Sequence, residues 1–407
     1  MKFPLAPDMM PTLQLPLGDQ QCIERLASVF VNETIDQYME HLQAARMQRS
    51  PRVCKKRWKQ IKKRGNMTIY QDQHADESIR QKMSFRTLLE TPGELAKTHV
   101  VMGLGHCEGL MEDAVYGSIA PTEEIMMVKT AYASDGVVDC RILSSIVTPS
   151  PIDPLRALQI KWCVNGSAPM IVSSMVRKRD FVYVESSGIV MTQSGERIGF
   201  NFLHSLEFKG VPDLSHLGLV RANLSICSLF RQREEGGVEL FLQGFCDPLG
   251  DMAASVAILT TAEAILSYSG VVHCGRMKKL NWVLSKNSNI VYAQAPEVCC
   301  VCHKNQSSSV LPKKFCRICK GRVCHSCRKP RELCFVDVRS RKVRKYKLSF
   351  CKGCVNAAHH QRALEIAHDE LMEENPMGAY EVDQESISSI SSFRSSSQSD
   401  LRQFFAA

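Results

Sequence analysis

Four CxxC pairs lie between residues 299 and 354: Cys299/Cys302, Cys316/Cys319, Cys324/Cys327 and Cys351/Cys354. A CxxC pair on a tight knuckle turn sets two sulfurs on one side of a single cation. Two such pairs complete the tetrahedral four-sulfur shell that structural zinc accepts. Eight ligands therefore call for two Zn2+ ions. The gaps between successive pairs are 13, 4 and 23 residues. A gap of four is too short for the second and third pairs to wrap around one ion, so the ligand sets must interleave. Cys299, Cys302, Cys324 and Cys327 belong to one zinc, and Cys316, Cys319, Cys351 and Cys354 to the other. A disulfide framework would not need this spacing. His303 and His325 stand beside ligand cysteines but a complete thiol set leaves them unneeded, and Cys300 and Cys334 are spare thiols.

The same stretch concentrates charge. Residues 313–352 hold 15 Lys/Arg against 2 Asp/Glu, a balance of +13, whereas the whole chain carries +9 and the remainder therefore −4. Eight thiolates around two Zn2+ add −4, which still leaves this segment strongly basic. Such a patch suits an anionic membrane surface or a nucleic acid.

The run KKFCRICKGRVCHSC, residues 313–327, resembles the signature of FYVE zinc fingers, RR/KHHCRxCG, in its cysteine spacing and in Arg317 after the cysteine. The likeness covers about 60 residues. It departs where the family has paired histidines, here Lys314 and Phe315, and where it has an arginine before the last CxxC, here Ser349; no WxxD precedes Cys299. In FYVE fingers those positions read the 3-phosphate of phosphatidylinositol. The resemblance therefore implies a two-zinc cross-braced finger, with Lys313, Lys314, Arg317 and Arg322 nearest an anionic lipid headgroup and little selectivity among headgroups. Membranes, rather than nucleic acid, become the expected partner.

The rest of the chain must fold around its own core. Of 407 residues 44% are hydrophobic, enough for two or three domains. Outside residues 299–354 the eight other cysteines are scattered without spacing, as buried thiols in a reducing compartment would be. Pro4, Pro7 and Pro11 break any apolar N-terminal helix, so no secretory signal is read there. Ala253–Val272 carries Thr260, Thr261 and Glu263 and reads as a buried helix more readily than as a membrane span. Leu26, Ala27, Phe30, Thr34, Ile35, Tyr38, Met39 and Leu42 fall at steps of three and four and predict a helix from Ile23 to about Met47. Arg52–Arg64, with eight basic residues around Trp58, reads as a solvated surface.

Strand signals follow at 67–71, 99–107, 136–146, 158–164, 180–185, 197–206, 219–231 and 238–246, with helices around Leu110–Val115 and over Thr122–Thr130. Glu234-Glu235-Gly236-Gly237 is a hairpin turn. After Asp247-Pro248-Leu249-Gly250, residues Ala253–Ser267 form a helix that is apolar nearly all round. Strand, helices, a long antiparallel run and a C-terminal helix make an α+β order.

RDFVYVESSGIV (179–190), the strand pair around the glycine turn and DPLGDMAASVAILTTAEAIL (247–266) resemble the START-type helix-grip fold over about residues 20–285. That family wraps a curved antiparallel sheet around a long C-terminal helix, leaving a lipid-sized cavity, and binds or transfers sterols, phospholipids or ceramides. A START-like domain followed by a FYVE-like finger is similar to a pairing frequent in oomycete proteins. The expected layout is an irregular 1–19, a START-like 20–285, a finger at 286–356, a helix at 357–376 and a disordered Ser-rich tail at 377–407. Leu259 and Leu266 are the expected cavity-wall residues.

The reading is an intracellular lipid-binding or lipid-transfer protein with no enzymatic step. It would hold an apolar lipid in its cavity and lie peripherally on endosomal or other anionic membranes. The tail or helix 357–376 offers a further surface to protein partners. The alternative is an interaction adaptor that uses the finger while the START-like domain carries no lipid. A catalytic role finds little in the sequence: Gly103-x-Gly105-x3-Gly109 is a poor dinucleotide loop outside a βαβ repeat. His106, Cys107, Glu108 and Asp113 are explained by a strand end running into a helix.

Overall fold

The computed structural model describes residues 3–47, 53–73, 100–166, 177–247, 249–250, 252–287, 297–305, 314–337, 339–373 and 380–382. Lys313 and nearly all of the Ser-rich segment lie outside the described residues. The chain forms two units, one from Met1–Arg276 with Arg362–Met372, the other from Met277–Gln361 with Glu373–Ala407.

The first unit is the α+β domain. Its strands are β1 (Trp58–Arg64), β2 (Met67–Asp72), β3 (Val101–Cys107), β4 (Val137–Val147), β5 (Ala157–Asn165), β6 (Arg179–Met191), β7 (Arg197–Ser205), β8 (Val220–Arg221), β9 (Asn223–Gln232) and β10 (Val238–Asp247). They make one sheet in the order β1-β2-β3-β10-β9-β7-β6-β5-β4, with β8 beside β6. All neighbours on that path are antiparallel. Gly236 and Gly237 take φ of 90° and 83° at the β9–β10 turn, a conformation open to glycine and closed to most residues. The strand signals of the sequence thus correspond to real strands, but β1 was hidden inside the basic run, and the single run 219–231 is divided into β8 and β9.

Helix α1 (Leu17–Met47) covers one face of the sheet. Its Ile23, Ala27, Phe30, Val31, Ile35 and Tyr38 bury against Trp162, Val182, Val184, Phe200, Phe202 and Leu229. Thr34 sits in this stripe because its hydroxyl donates to the Phe30 carbonyl, 2.7 Å away. The N-terminal segment before α1 is irregular yet packed: Phe3, Leu5, Met9, Leu13 and Leu15 lie against this core. The Leu5 amide donates to Asp139 Oδ2 at 2.6 Å.

Helices α2 (Met111–Ser118), α3 (Glu123–Ala133) and α4 (Ala254–Ser267) lie along β6, β7 and β9, along β4, and along β1, β2, β3 and β10. Because each face carries helices, the central strands are buried almost without alternation, as in β5 and β6. The sequence left open which of the sets Phe181/Tyr183/Glu185 and Val182/Val184 looks inward. Both do: the valines meet α1, and Glu185 meets Lys129 of α3.

A further helix, α5 (Val271–Lys286), escaped the sequence reading. Its first turns cross α2 with almost no space between backbones. A Cβ on Gly117 would stand 1.9 Å from the Val271 carbonyl oxygen, and one on Gly275 would stand 2.1 Å from that of Asp113. Neither obstacle is a side chain that can turn away. Gly117→Ala is expected to cost about 3 kcal/mol, at the upper end of ordinary overpacking. A urea midpoint for the α+β unit equal to the wild-type value would refute this close crossing.

The second unit contains the finger, the hairpin β11 (Arg328–Asp337) and β12 (Lys342–Cys351), and helix α6 (Lys352–His360). The single helix expected at 357–376 is instead two, α6 and α7 (Ala363–Met372), because Gln361 turns to an extended conformation after α6. The tail also begins with order: Glu381–Val382 form β13, parallel to β11, and Tyr380 is buried. The Tyr380 carbonyl accepts from the Val336 amide at 2.8 Å.

Candidate metal centre

Each knuckle is built by local backbone bonds. After Cys299-x-x-Cys302 the chain reverses at His303, φ 56°, whose amide donates to the Cys299 carbonyl. Cys316-x-x-Cys319 reverses at Lys320, φ 55°, whose amide donates to the Cys316 carbonyl. Cys327 leads directly into β11, and Cys351 ends β12 and caps α6, its sulfur accepting from the Cys354 amide at 3.2 Å. The β11–β12 hairpin therefore spans the long 23-residue gap, pairing Arg328 with Cys351.

The sulfurs gather in two groups. Those of Cys299, Cys302, Cys324 and Cys327 lie within 4.8 Å of one another, as do those of Cys316, Cys319, Cys351 and Cys354. Zinc at about 2.3 Å from four tetrahedral sulfurs needs sulfur–sulfur edges of about 3.8 Å. The Cys302–Cys324 and Cys319–Cys351 edges are 3.7 and 4.0 Å. An all-thiol donor set of this size fits zinc, and hydrogen bonds favour the thiolate at several of its members while raising the pKa of Cys327 and Cys354. The Cys324 amide faces Cys299 Sγ at 3.5 Å. The Ser326 hydroxyl, 3.1 Å away, leads in holding the Cys324 thiol at about 6. Contacts with Cys319 and Cys316 likewise hold Cys316 and Cys351 at about 6.

The residues expected to meet a headgroup are placed unequally. Lys314 is exposed, and Arg317 is half-buried with burial lowering its pKa. Arg322 is 3% exposed, its Nη1 donating to the Glu297 carbonyl at 3.3 Å. The expectation that Arg322 lies beside a headgroup fails on that burial. Exposed cations instead line the hairpin: Lys342, Arg344, Lys345 and Lys347 on β12, followed by Lys352. Arg344 and Lys345 are partly answered by Asp337 and Glu332, each at 3.4 Å.

In the α+β unit, Leu266 is fully buried and Leu259 is 44% exposed. The C-terminal end of α4 lies directly on β3, where a Cβ on Gly103 would be 2.7 Å from Ile265 Cγ2. The other end is open: Ala253, Ala254 and Ser255 are exposed with Leu259. Glu263 is bound by Lys62 and Arg64 of β1. The sheet also carries a buried charged group that sequence reading missed. Lys161 Nζ donates to Glu185 Oε2 at 2.6 Å and to the Ala120 carbonyl at 2.7 Å. Lys129 and Asn201 both reach Glu185 Oε1, at 3.1 and 3.0 Å, and the Tyr268 hydroxyl donates to Asn201 Oδ1. The strands LQIKWCV at 158–164 and VYVE at 182–185 each set a charge among apolar residues, and those were the available signals.

No family model matches this chain, and no curated protein matches it. Among solved structures it is similar to the human StAR-related lipid transfer protein 5, with 15% identity and a TM-score of 0.41 over 63% of this chain and 98% of that one. It is also similar to the lipid transfer and protein localization domain of human StarD13, with 13% identity and a TM-score of 0.36, over 53% and 88% of the two chains. A STAR-related lipid transfer protein from Xanthomonas axonopodis gives 15% and 0.36, over 54% and 99%. At this level of similarity neither ligand nor activity carries over.

Proposed function

We propose that this chain is a non-enzymatic lipid-binding or lipid-transfer protein of the cytoplasm, held on an anionic membrane such as the endosomal surface by a two-zinc finger. The observation that carries the lipid reading is helix α4. It is apolar around nearly its whole circumference, with Glu263 its one charged residue, yet its N-terminal end is exposed. An ordinary helix on a sheet turns a polar side to water. An exposed Leu259 near one end of a helix whose other end lies on β3 suits an element that shields a lipid and moves to release it. Apolar burial would supply affinity and a few polar groups orientation. The test is native mass spectrometry of the full chain, expected to show a co-purified lipid together with two zinc ions, followed by lipid exchange between vesicles. Protein free of lipid and inert in exchange would leave the adaptor alternative.

Docking would be electrostatic, through Lys314 and the exposed cations of β12. Near an anionic surface each contributes on the order of 1 kcal/mol, and salt screens much of it. The double variant Lys345→Ala, Lys347→Ala should therefore bind phosphatidylserine vesicles roughly thirtyfold more weakly in sedimentation. Wild-type binding should fall steeply between low and physiological salt. Salt-resistant binding selective for phosphatidylinositol 3-phosphate would overturn this picture.

A further inference from the structure

In the sequence Cys300 adjoins Cys299, a ligand of the first sulfur group. In the structure it turns to the second. The Cys300 amide donates to the Arg322 carbonyl, which brings the residue over Gly321. A Cβ on Gly321 would be 2.7 Å from Cys300 Cβ, 3.0 Å from its sulfur and 3.4 Å from Cys319 Sγ. Any side chain there would fill the space through which the two sulfurs face each other. The Cys300 and Cys319 sulfurs, each within van der Waals reach of that one position, therefore stand side by side over Gly321. Cys300 thus stands as a fifth thiol beside the four of the second group. Cys316 and Cys351 are buried, whereas Cys319 and Cys354 are partly exposed, as is Cys300. Cys300 and Cys319 thus combine partial exposure with adjacent sulfurs.

We infer that Cys300 is the resolving thiol of a peroxide-sensitive zinc site, forming a disulfide with Cys319 and releasing the zinc of the second group. The inference rests on the two-zinc reading. In the first step the Cys319 thiolate attacks hydrogen peroxide: the O–O bond breaks, an S–O bond forms, and hydroxide leaves. Sulfur is oxidised to the sulfenic acid and the peroxide is reduced. In the second step the Cys300 sulfur attacks Cys319. An S–S bond forms, the S–O bond breaks, and the departing hydroxide takes the Cys300 proton as water. Cys319 is then lost as a ligand, and three thiolates hold zinc far less well than four. A thiol reductant with added zinc reverses the change. The first group, with four thiols and no fifth among the described residues, keeps its metal.

The test uses the full chain, first confirmed by native mass spectrometry to hold two zinc ions, so that failure of the two-zinc reading is seen before any oxidant is added. One equivalent of hydrogen peroxide is then given, with zinc release followed by a chromogenic chelator and disulfides mapped by mass spectrometry. The expected result is release of one zinc per chain, a Cys300–Cys319 disulfide, and full recovery with dithiothreitol and zinc. Cys300→Ser and Cys300→Ala should bind two zinc ions, form no disulfide at Cys319, and accumulate a sulfenic acid there that dimedone traps at least tenfold more than in wild type. Disulfides confined to the first group, or equal dimedone trapping with and without Cys300, would overturn the proposal.

Discussion

Replacing Cys351 with serine is expected to leave the chain with one zinc ion and without a folded finger. This residue has three duties at once. It is a ligand in the second sulfur group, it closes the β11–β12 hairpin opposite Arg328, and its sulfur accepts the Cys354 amide that starts α6. Among the described residues between 297 and 327 the buried apolar side chains outside the cysteines are Ile318 and Val323, so the knuckles have little else to fold around. Structural zinc sites contribute apparent binding energies of about 10–16 kcal/mol, which small domains spend on folding. Loss of one thiolate should therefore unfold the knuckles around it while the α+β unit, with its own sheet, keeps its transition. Zinc content by mass spectrometry and hydrogen exchange over residues 314–354 read the two effects separately. Two bound zinc ions and wild-type protection in Cys351→Ser would remove the second site.

The two sulfur groups were legible because their chemistry is local: a CxxC knuckle is a sequence pattern, and the gaps alone interleave the pairs. Most strands were legible from Val, Ile, Phe and Tyr content, even though alternation was absent with both faces of the sheet covered. What stayed hidden depended on partners far along the chain. β1 reads as a charge run because Lys59 and Lys63 are exposed on an edge strand, where such residues discourage pairing with other chains, while Lys62 and Arg64 bind Glu263. α5 reads as broken by Gly275, Lys278 and Lys279. Yet Gly275 makes room for α2, and buried Lys279 donates to the carbonyls of His359 and Gln361. The proximity of Cys300 to Cys319 could not be read from sequence at all, since its neighbour Cys299 belongs to the other group.

Glu185→Gln should destabilise the α+β unit by about 3–5 kcal/mol, because it leaves two ammonium groups facing one another in the protein interior. Lys161 and Glu185 are buried, on β5 and β6, and Lys129 of α3 reaches Glu185 with 16% of its side chain exposed. Burial alone would raise the Glu185 pKa; Lys129 and Lys161 outweigh it and hold the carboxyl at about 2, against an ordinary 4.5. Burial lowers the Lys161 pKa more than Glu185 can raise it, whereas Lys129, near both Glu185 and Asp135, ends above its usual value. Since the folded pKa of Glu185 lies below the unfolded one, its stabilisation is complete above about 4.5 and disappears as the pH falls toward 2. The amount at stake is about 3 kcal/mol. In Glu185→Gln that acid-side loss should vanish, and stability should instead climb at alkaline pH as Lys161, deprived of its partner, sheds its proton in the folded state first. Adding Lys161→Met should recover much of the loss at neutral pH, since it removes an uncompensated charge and puts an apolar chain of similar length in its place. Urea denaturation of the wild type and the two variants from pH 3 to 10 measures all of this. A Glu185→Gln variant within 1 kcal/mol of wild type at pH 7, with an unchanged acid limb, would mean that water reaches these groups and that the interior of the sheet is open at this point.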